Sequence, residues 1–334
     1  MAELRKDPVC DRWVIIAPER AERPSEPGRP PPAPPSGACP FCPGNERYTP
    51  HELLAYRSGD GPDGPGWQLR VFPNRYPALR VEGAIEREGM GLFDRMTGVG
   101  AHEVVVETPD HRRALGDLPS EEIARVLFAW RERLLDLRRD GRLSSAIVFK
   151  NQGYGAGSTL GHAHSQLIAL PRLPRELADE LSGARRHYEQ RERCLFCDIL
   201  RQEGAAGERL IVQNGGCLSI APFAPRVPFE CWLLPARHHS SFEETPDGDL
   251  AEVADALRET LRRVDAALAR PALNLVLHTA PLNPPAERNL PYWHWHLEVL
   301  PVTVRPGGFE WGSGFFINPT PPEEAAEFLR KVQI

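Results

Sequence analysis

The sequence predicts an α+β protein built from two copies of one strand–helix–strand unit, joined into a single body. Three observations carry this prediction. Two long helical stretches share one design, short β-rich runs surround each of them, and a series of landmarks recurs in the same order in both halves.

Along the chain, 22–37 is too proline-rich for a helix or a central strand and reads as an exposed, extended connection. The Ser58–Gly66 stretch, rich in Gly, Asp and Pro, reads as turns. The first helix is expected over Ser120–Asp140, with Ser120 as N-cap and acidic residues in the first turn. A second, over Asp247–Ala269, places Leu250, Val253, Leu257, Leu261 and Val264 on one face. Strands are expected over Glu103–Glu107, Ala146–Lys150, Cys231–Leu234, Leu273–Leu277 and His296–Leu300.

The landmarks are specific. Cys39-Pro-Phe-Cys42 recurs as Cys194-Leu-Phe-Cys197. Glu103 lies eight residues before His111, and Glu230 lies eight before His238. Asn151 follows His111 by 40 residues, and His278 follows His238 by 40. Each half closes on His-x-His, His162–His164 and His294–His296, running into an apolar strand that ends at Pro171 or Pro301. Two units are therefore expected, 1–172 and 173–334.

Composition narrows the function. Net charge is −6 with no basic stripe, which argues against a nucleic-acid binder. No apolar run reaches about 18 residues, so no membrane span is expected. The opening MAELRKDPVCDRW lacks the apolar stretch of a secretion signal. A cytoplasmic setting follows, where paired cysteines hold metal more often than they form disulfides.

Zinc takes four tetrahedral ligands, and Cys-x-x-Cys supplies two from one tight turn. Cys39 and Cys42 find their natural completion in His111 and His162, and the repeat gives Cys194, Cys197, His238 and His294 as a second set. His239 is an alternative to His238, but the shared spacing favours His238. Ordinary buried thiols or a redox dithiol are the competing readings, and neither accounts for the duplicated histidines. His51, His102 and His187 fit no pattern and read as surface or locally hydrogen-bonded residues.

The segment from Asn151 to Gln166 joins a glycine-rich loop (Gly153, Gly155, Gly157, Gly161) to the first His-x-His. Such a loop lets backbone N–H groups approach phosphate oxygens, with Ser158 and Thr159 as further candidates. Neutral imidazole is a competent nucleophile near neutral pH once its second nitrogen has a partner. His164 is the candidate nucleophile; the alternative is a third structural ligand. Gln166 can donate an N–H to a non-bridging phosphate oxygen. The second copy reads His296-Leu-Glu298 and lacks the glycines, so the first copy is the active one.

CPFCPGNE, VFPNRYPAL, HEVVVETPDH, HAHSQ and GGFEWGSGFFINPTPPEEAAEFLR together resemble the galactose-1-phosphate uridylyltransferase family, a branch of the histidine-triad superfamily. The resemblance covers nearly the whole chain. It implies duplicated histidine-triad-like units, with antiparallel sheets packed with helices. It also implies a covalent nucleotidyl-histidine at His164, formed from a nucleotide-sugar and relayed to a hexose 1-phosphate in a ping-pong cycle. By resemblance Asn74 and Asn151 help bind nucleotide and phosphates, Glu310 binds hexose, and the protein is a homodimer with shared active sites. UDP-glucose with galactose 1-phosphate is the first expectation. His-Ala-His-Ser-Gln departs from the uridylyltransferases' His-Pro-His-Gly-Gln and is similar to the ADP-sugar phosphorylase branch, which uses phosphate as acceptor and carries a second zinc site. Other members bind iron through a Glu and three His, which Glu180, His278, His294 and His296 would mimic here; Cys194 and Cys197 favour zinc. A dinucleotide hydrolase would carry a third histidine at Gln166. A non-catalytic double zinc scaffold would leave His164, Gln166 and the loop without a purpose.

Overall fold

The computed structural model describes residues 1–22, 39–59, 61–283 and 290–334. The proline-rich connection expected over 22–37 lies almost wholly outside the described residues. Ten strands form one sheet: β1 (Leu54–Arg57), β2 (Trp67–Pro73), β3 (Ala101–Val106), β4 (Ser145–Gln152) and β5 (His164–Leu170) from the first half. The second half adds β6 (Leu210–Gln213), β7 (Cys217–Ile220), β8 (Cys231–Pro235), β9 (Leu273–His278) and β10 (His296–Pro301). Six helices accompany them among the described residues: α1 (Ser120–Leu137), α2 (Arg175–Arg191), α3 (Leu195–Ala206), α4 (Asp247–Ala267), α5 (Gly308–Ser313) and α6 (Pro322–Lys331). A smaller sheet joins Glu3–Lys6 and Trp13–Ile16 to Phe316–Asn318, tying the two ends of the chain together. None of the described helices is long and apolar enough to cross a membrane.

The order β6-β7-β8-β10-β9-β4-β5-β3-β2-β1 reads the same from either edge once each strand is matched with its counterpart, and every pairing is antiparallel. Register makes the duplication quantitative. Phe149 lies opposite Gln166 in one half and Val276 opposite Glu298 in the other, so Phe149 and Val276 are equivalent positions. Those same two residues face each other across the β4–β9 seam. A local two-fold axis therefore passes between them. By the same register Asn151 is equivalent to His278, as their shared spacing from His111 and His238 predicts.

The equation of Glu103 with Glu230 needs correcting. Val104 lies opposite Gln166 and Trp232 opposite Glu298, so the partner of Glu230 is His102 and that of Glu103 is Cys231. The loops leading to His111 and His238 differ by one residue, and equal spacing hid a change of sheet face. Glu103 points to the helix layer, where both its oxygens accept from Arg133 of α1 at 2.8 Å.

The amphipathic faces explain the packing. Ile123, Leu127, Trp130 and Leu134 of α1, with Leu250, Val253, Leu257 and Leu261 of α4, are buried in one core cluster with strand residues from both halves. Ser120 is the first residue of α1 rather than its cap; Pro119 takes the cap position, its fixed φ suiting the entry to a helix. The opposite sheet face is covered unequally. Over the second half α2 and α3 lay Leu177, Leu195, Phe196 and Leu200 against Ile220, Trp232 and Trp293. Over the first half, among the described residues, a small cluster of Phe41, Trp67, Phe72, Val104 and Val106 forms.

Leu275, fully buried on β9 beside the seam, tests whether the seam is core. Leu275→Ala is expected to cost about 2–5 kcal/mol, read as a lowered denaturant midpoint. An unchanged midpoint would mean that the seam adds nothing to the fold.

Candidate functional site

The first Cys-x-x-Cys turn closes through a bond from the Cys42 N–H to the Cys39 carbonyl (3.2 Å), which turns both sulfurs to one side. Cys42 Sγ lies 3.4 Å from His111 Nδ1 and 3.7 Å from His162 Nδ1, and Cys39 Sγ lies 3.8 Å from His162 Nδ1. His162 donates its Nε2–H to the Thr108 carbonyl at 2.7 Å, which leaves Nδ1 as its free lone pair. The four predicted residues thus form one group able to hold a metal ion, two sulfurs and two imidazole nitrogens within 4.8 Å of one another.

The second copy repeats the arrangement. Cys194 caps the start of α3, and Cys197 Sγ lies 3.4 Å from His238 Nδ1 and 3.6 Å from His294 Nδ1. Contact with Cys194, aided by His238 and His294, holds Cys197 well below the usual thiol range. His239 turns away to Asp249, at 2.9 Å. The Glu180–His278–His294–His296 set does not form as a single cluster. His294 sits with the cysteines, and Glu180, His278 and His296 gather instead with Glu298.

His164 opens β5 two residues beyond His162 of the first Cys₂His₂ group. Its Nδ1–H donates to the backbone carbonyl of His162 at 2.8 Å, so Nε2 carries the free lone pair. Burial, with the Lys150 charge nearby, holds this imidazole below its ordinary range, and the ring is neutral at pH 7. Lys150, which sequence reasoning passed over, donates to the His164 carbonyl at 3.1 Å and to buried Glu107 at 2.7 Å, clamping the strand end. The Phe41 ring packs edge-on to His164 with centroids 5.3 Å apart.

Around this centre the predicted residues fall into two groups. Gln166 is on the same strand face as His164, and Asn74 Nδ2 donates to its Oε1 at 3.4 Å. Asn151 and Ser158 line a small cavity of about 90 Å³ with Lys150, Gly153 and Gly161. Gly153 and Gly157 both adopt positive φ (81° and 91°), where a Cβ would be strained, and Thr159 is exposed just beyond. Glu310 is elsewhere. It sits on the short α5, accepts the Gly307 N–H at 2.7 Å, and lines a cavity of about 760 Å³ with Arg226, Arg305 and Phe309. An adjoining cavity of about 520 Å³ reaches from Trp311 to Gly155 and Ala156 of the glycine turn.

His102, which from sequence reads as a surface or locally hydrogen-bonded residue, bonds instead to a site residue distant in the chain. Its Nε2 lies 2.9 Å from Gln166 Oε1. Period-two counting from the apolar Val104 and Val106 would have put it on the site face. His51 and His187 do pair locally, with Asp63 and Asp198.

The second copy has a chemically different centre. His296 keeps the bond to the preceding histidine's carbonyl, His294 O, at 3.3 Å. Phe196, Trp232 and Trp293 crowd its ring, with centroids 4.9, 5.4 and 5.9 Å away. Burial opposes charge on His278, but Glu180 and Glu298 on either side push it up to about 10. Burial and that neighbouring charge bring His296 down to about 4. A phosphate has neither room nor a favourable field there.

Comparison with known proteins now adds a family. Residues 1–174 match the family model described as galactose-1-phosphate uridyl transferase, N-terminal domain. The ADP-glucose phosphorylase of Arabidopsis thaliana is 37% identical over 99% of this chain and 93% of its own length. The galactose-1-phosphate uridylyltransferase of Thermotoga maritima is 30% identical over 100% of this chain and 99% of its own. A crystal structure of the Arabidopsis ADP-glucose phosphorylase with bound ADP-glucose superposes with a TM-score of 0.86 at 34% identity, covering 100% of this chain and 99% of that one.

Elemental analysis of the purified protein is expected to find about one thiophilic metal ion for each of the two Cys₂His₂ groups. Cys39→Ser should remove the first of these and lower the melting temperature, since such an ion adds directly to folding energy. Unchanged metal content and melting temperature would exclude Cys39 as a ligand.

Proposed function

The chain belongs to the galactose-1-phosphate uridylyltransferase family, and we propose that it moves an adenylyl group from an ADP-sugar to inorganic phosphate through His164. Membership makes it a nucleotidyltransferase. The observation that carries the covalent step is the Nδ1–H bond of His164 to the His162 carbonyl, which leaves a neutral ring with Nε2 unshared. In the first half-reaction Nε2 attacks the α-phosphorus, a P–N bond forms, the P–O bond to the β-phosphate breaks, and sugar 1-phosphate leaves. In the second a phosphate oxygen attacks the same phosphorus, the P–N bond breaks, and the nucleoside diphosphate departs with the imidazole restored.

Gln166 donates its amide to a non-bridging oxygen during both steps, and the turn from Gly153 to Gly161, with Ser158 and Thr159, receives the departing phosphate. Asn74 and Asn151 border the nucleotide. Glu310 contacts the hexose, and its position on exposed α5, between half-exposed Phe309 and exposed Trp311, suits delivery across a homodimer interface. Zinc fits both Cys₂His₂ groups, because thiolate with imidazole in a tetrahedral set is its preferred environment, and its work there is to hold His162 and His294 in place. Thiolate sites of this kind suit a reducing, cytoplasmic setting.

Sequence reasoning put uridylyl transfer to galactose 1-phosphate first. The order is reversed here because the phosphorylase relative has the higher identity, with the His-Ser-Gln ending pointing the same way. Uridylyl transfer stands as the second reading, favoured by the full-length match to the Thermotoga enzyme.

Intact mass after mixing the protein with ADP-glucose or UDP-glucose separates the two. An adenylyl adduct from ADP-glucose alone is expected; a uridylyl adduct from UDP-glucose alone would establish the second reading. His164→Gly should abolish the adduct while keeping metal content and melting temperature. Loss of metal or of fold in that variant would make His164 structural.

A further inference from the structure

His102 has different neighbours at its two ring nitrogens: the Ala78 N–H at Nδ1, and at Nε2 both Gln166 Oε1 and, at 3.2 Å, Asn74 Nδ2, itself a donor to that same oxygen. The backbone N–H of Ala78 points at Nδ1 from 3.1 Å. A peptide N–H can only donate, so Nδ1 is the acceptor and the ring proton sits on Nε2. Nε2 lies 2.9 Å from Gln166 Oε1, and its N–H donates there. A second backbone group sets Asn74 in the same way. The Tyr76 N–H donates to Asn74 Oδ1 at 2.8 Å, which turns the Asn74 amide nitrogen toward Gln166 Oε1. Asn74 and His102 are themselves tied by a bond from the Asn74 N–H to the His102 carbonyl at 2.7 Å.

Two donors thus converge on one oxygen of Gln166. With Oε1 held by both, the amide NH₂ is turned away from His102 and Asn74, on the sheet face that also carries His164. A glutamine amide is nearly symmetric in shape, and flipping it exchanges a donor for an acceptor at a developing negative charge. Its orientation is therefore worth fixing.

We propose that His102 is a positioning residue for nucleotidyl transfer: through its Nε2–H it locks the Gln166 amide in the orientation that donates to the transferring phosphate. This rests on the proposed roles of His164 and Gln166. The second copy supports it independently. There Glu230 occupies the position equivalent to His102, and it reaches Glu298, the equivalent of Gln166, through Arg226, which bonds to both carboxylates. Both copies use this strand position to anchor the third residue of the His-x-His-x-Gln/Glu run. In one copy the anchor is a neutral donor serving an amide, and in the other an ion pair serving a carboxylate.

The test is the single-turnover rate of adduct formation, followed by intact mass with whichever of ADP-glucose or UDP-glucose labels the wild type. His102→Phe keeps the ring volume without the donor, and is expected to slow adduct formation about ten- to a hundredfold. Its KM for the nucleotide-sugar should stay within about twofold, because ground-state binding is not what the amide serves. His102→Gln, whose amide can donate to the same oxygen, should restore most of the rate. In a Gln166→Ala background His102→Phe should have no further effect, since there is no amide left to orient. If His102→Phe does not fold, His102→Ala carries the same expectation.

A His102→Phe rate within about twofold of wild type would overturn the proposal, as would the same fold-loss in the Gln166→Ala background or a His102→Gln variant as slow as His102→Phe. Absence of any adduct on the wild type would remove the His164 reading, and the role of His102 with it. Normal labelling of the wild type beside an unimpaired His102→Phe would remove the role of His102 alone.

Discussion

Much of this structure depends on one backbone carbonyl, that of His162. The imidazole of His162 faces the cysteines, while its carbonyl accepts the Nδ1–H of His164. A residue of the Cys₂His₂ group able to hold a metal therefore also sets the tautomer of the proposed nucleophile two positions later. Lys150 holds the far side of His164 through its carbonyl, with Glu107 balancing the buried charge. Stability and chemistry share the same few atoms.

Duplication supplied two such centres and the surroundings made them unlike. The bond from the second histidine to the first one's carbonyl survives in both copies, shorter in the first (2.8 Å) than in the second (3.3 Å). What differs is the cover. α2 and α3 bury the second centre beneath Phe196, Trp232 and Trp293, and its polar groups neutralise one another through His278, Arg226 and the two glutamates at 180 and 298. Among the described residues no comparable helices lie over the first centre, and the glycine turn borders it instead. The same backbone geometry is buried among aromatic rings in one half and carries the proposed reactive histidine in the other.

Features set by short-range rules were legible in the sequence. The faces of α1 and α4, the two Cys₂His₂ sets and the placing of His164 and Gln166 on one strand face all follow from periodicity and spacing. Features that depend on register or on distant chain were not. Glu103 and Glu230 matched by count but lie on opposite faces, because one loop is a residue longer and a strand reverses its facing with every residue. The repeat apportioned His294 to the cysteines, where it lies, but that Glu298 rather than His294 joins Glu180, His278 and His296 was not legible, since that set is completed by residues far along the chain. His102 fitted no pattern because its partners come from two distant segments, the loop carrying Asn74 and Ala78 and the strand carrying Gln166.

The seam at Phe149 and Val276 has a historical consequence. Two equivalent strands meeting antiparallel about a local dyad is the contact that two identical chains would make as a symmetric pair. Such a pair depends on protein concentration, and each open edge is a hazard until its mate arrives. Fusion into one polypeptide makes the encounter intramolecular and permanent, whatever the abundance. It also breaks a constraint that no gene for a symmetric pair can escape: a substitution need no longer appear twice. Glu298 in one copy where the other has Gln166 is a difference that a pair of identical chains could not carry.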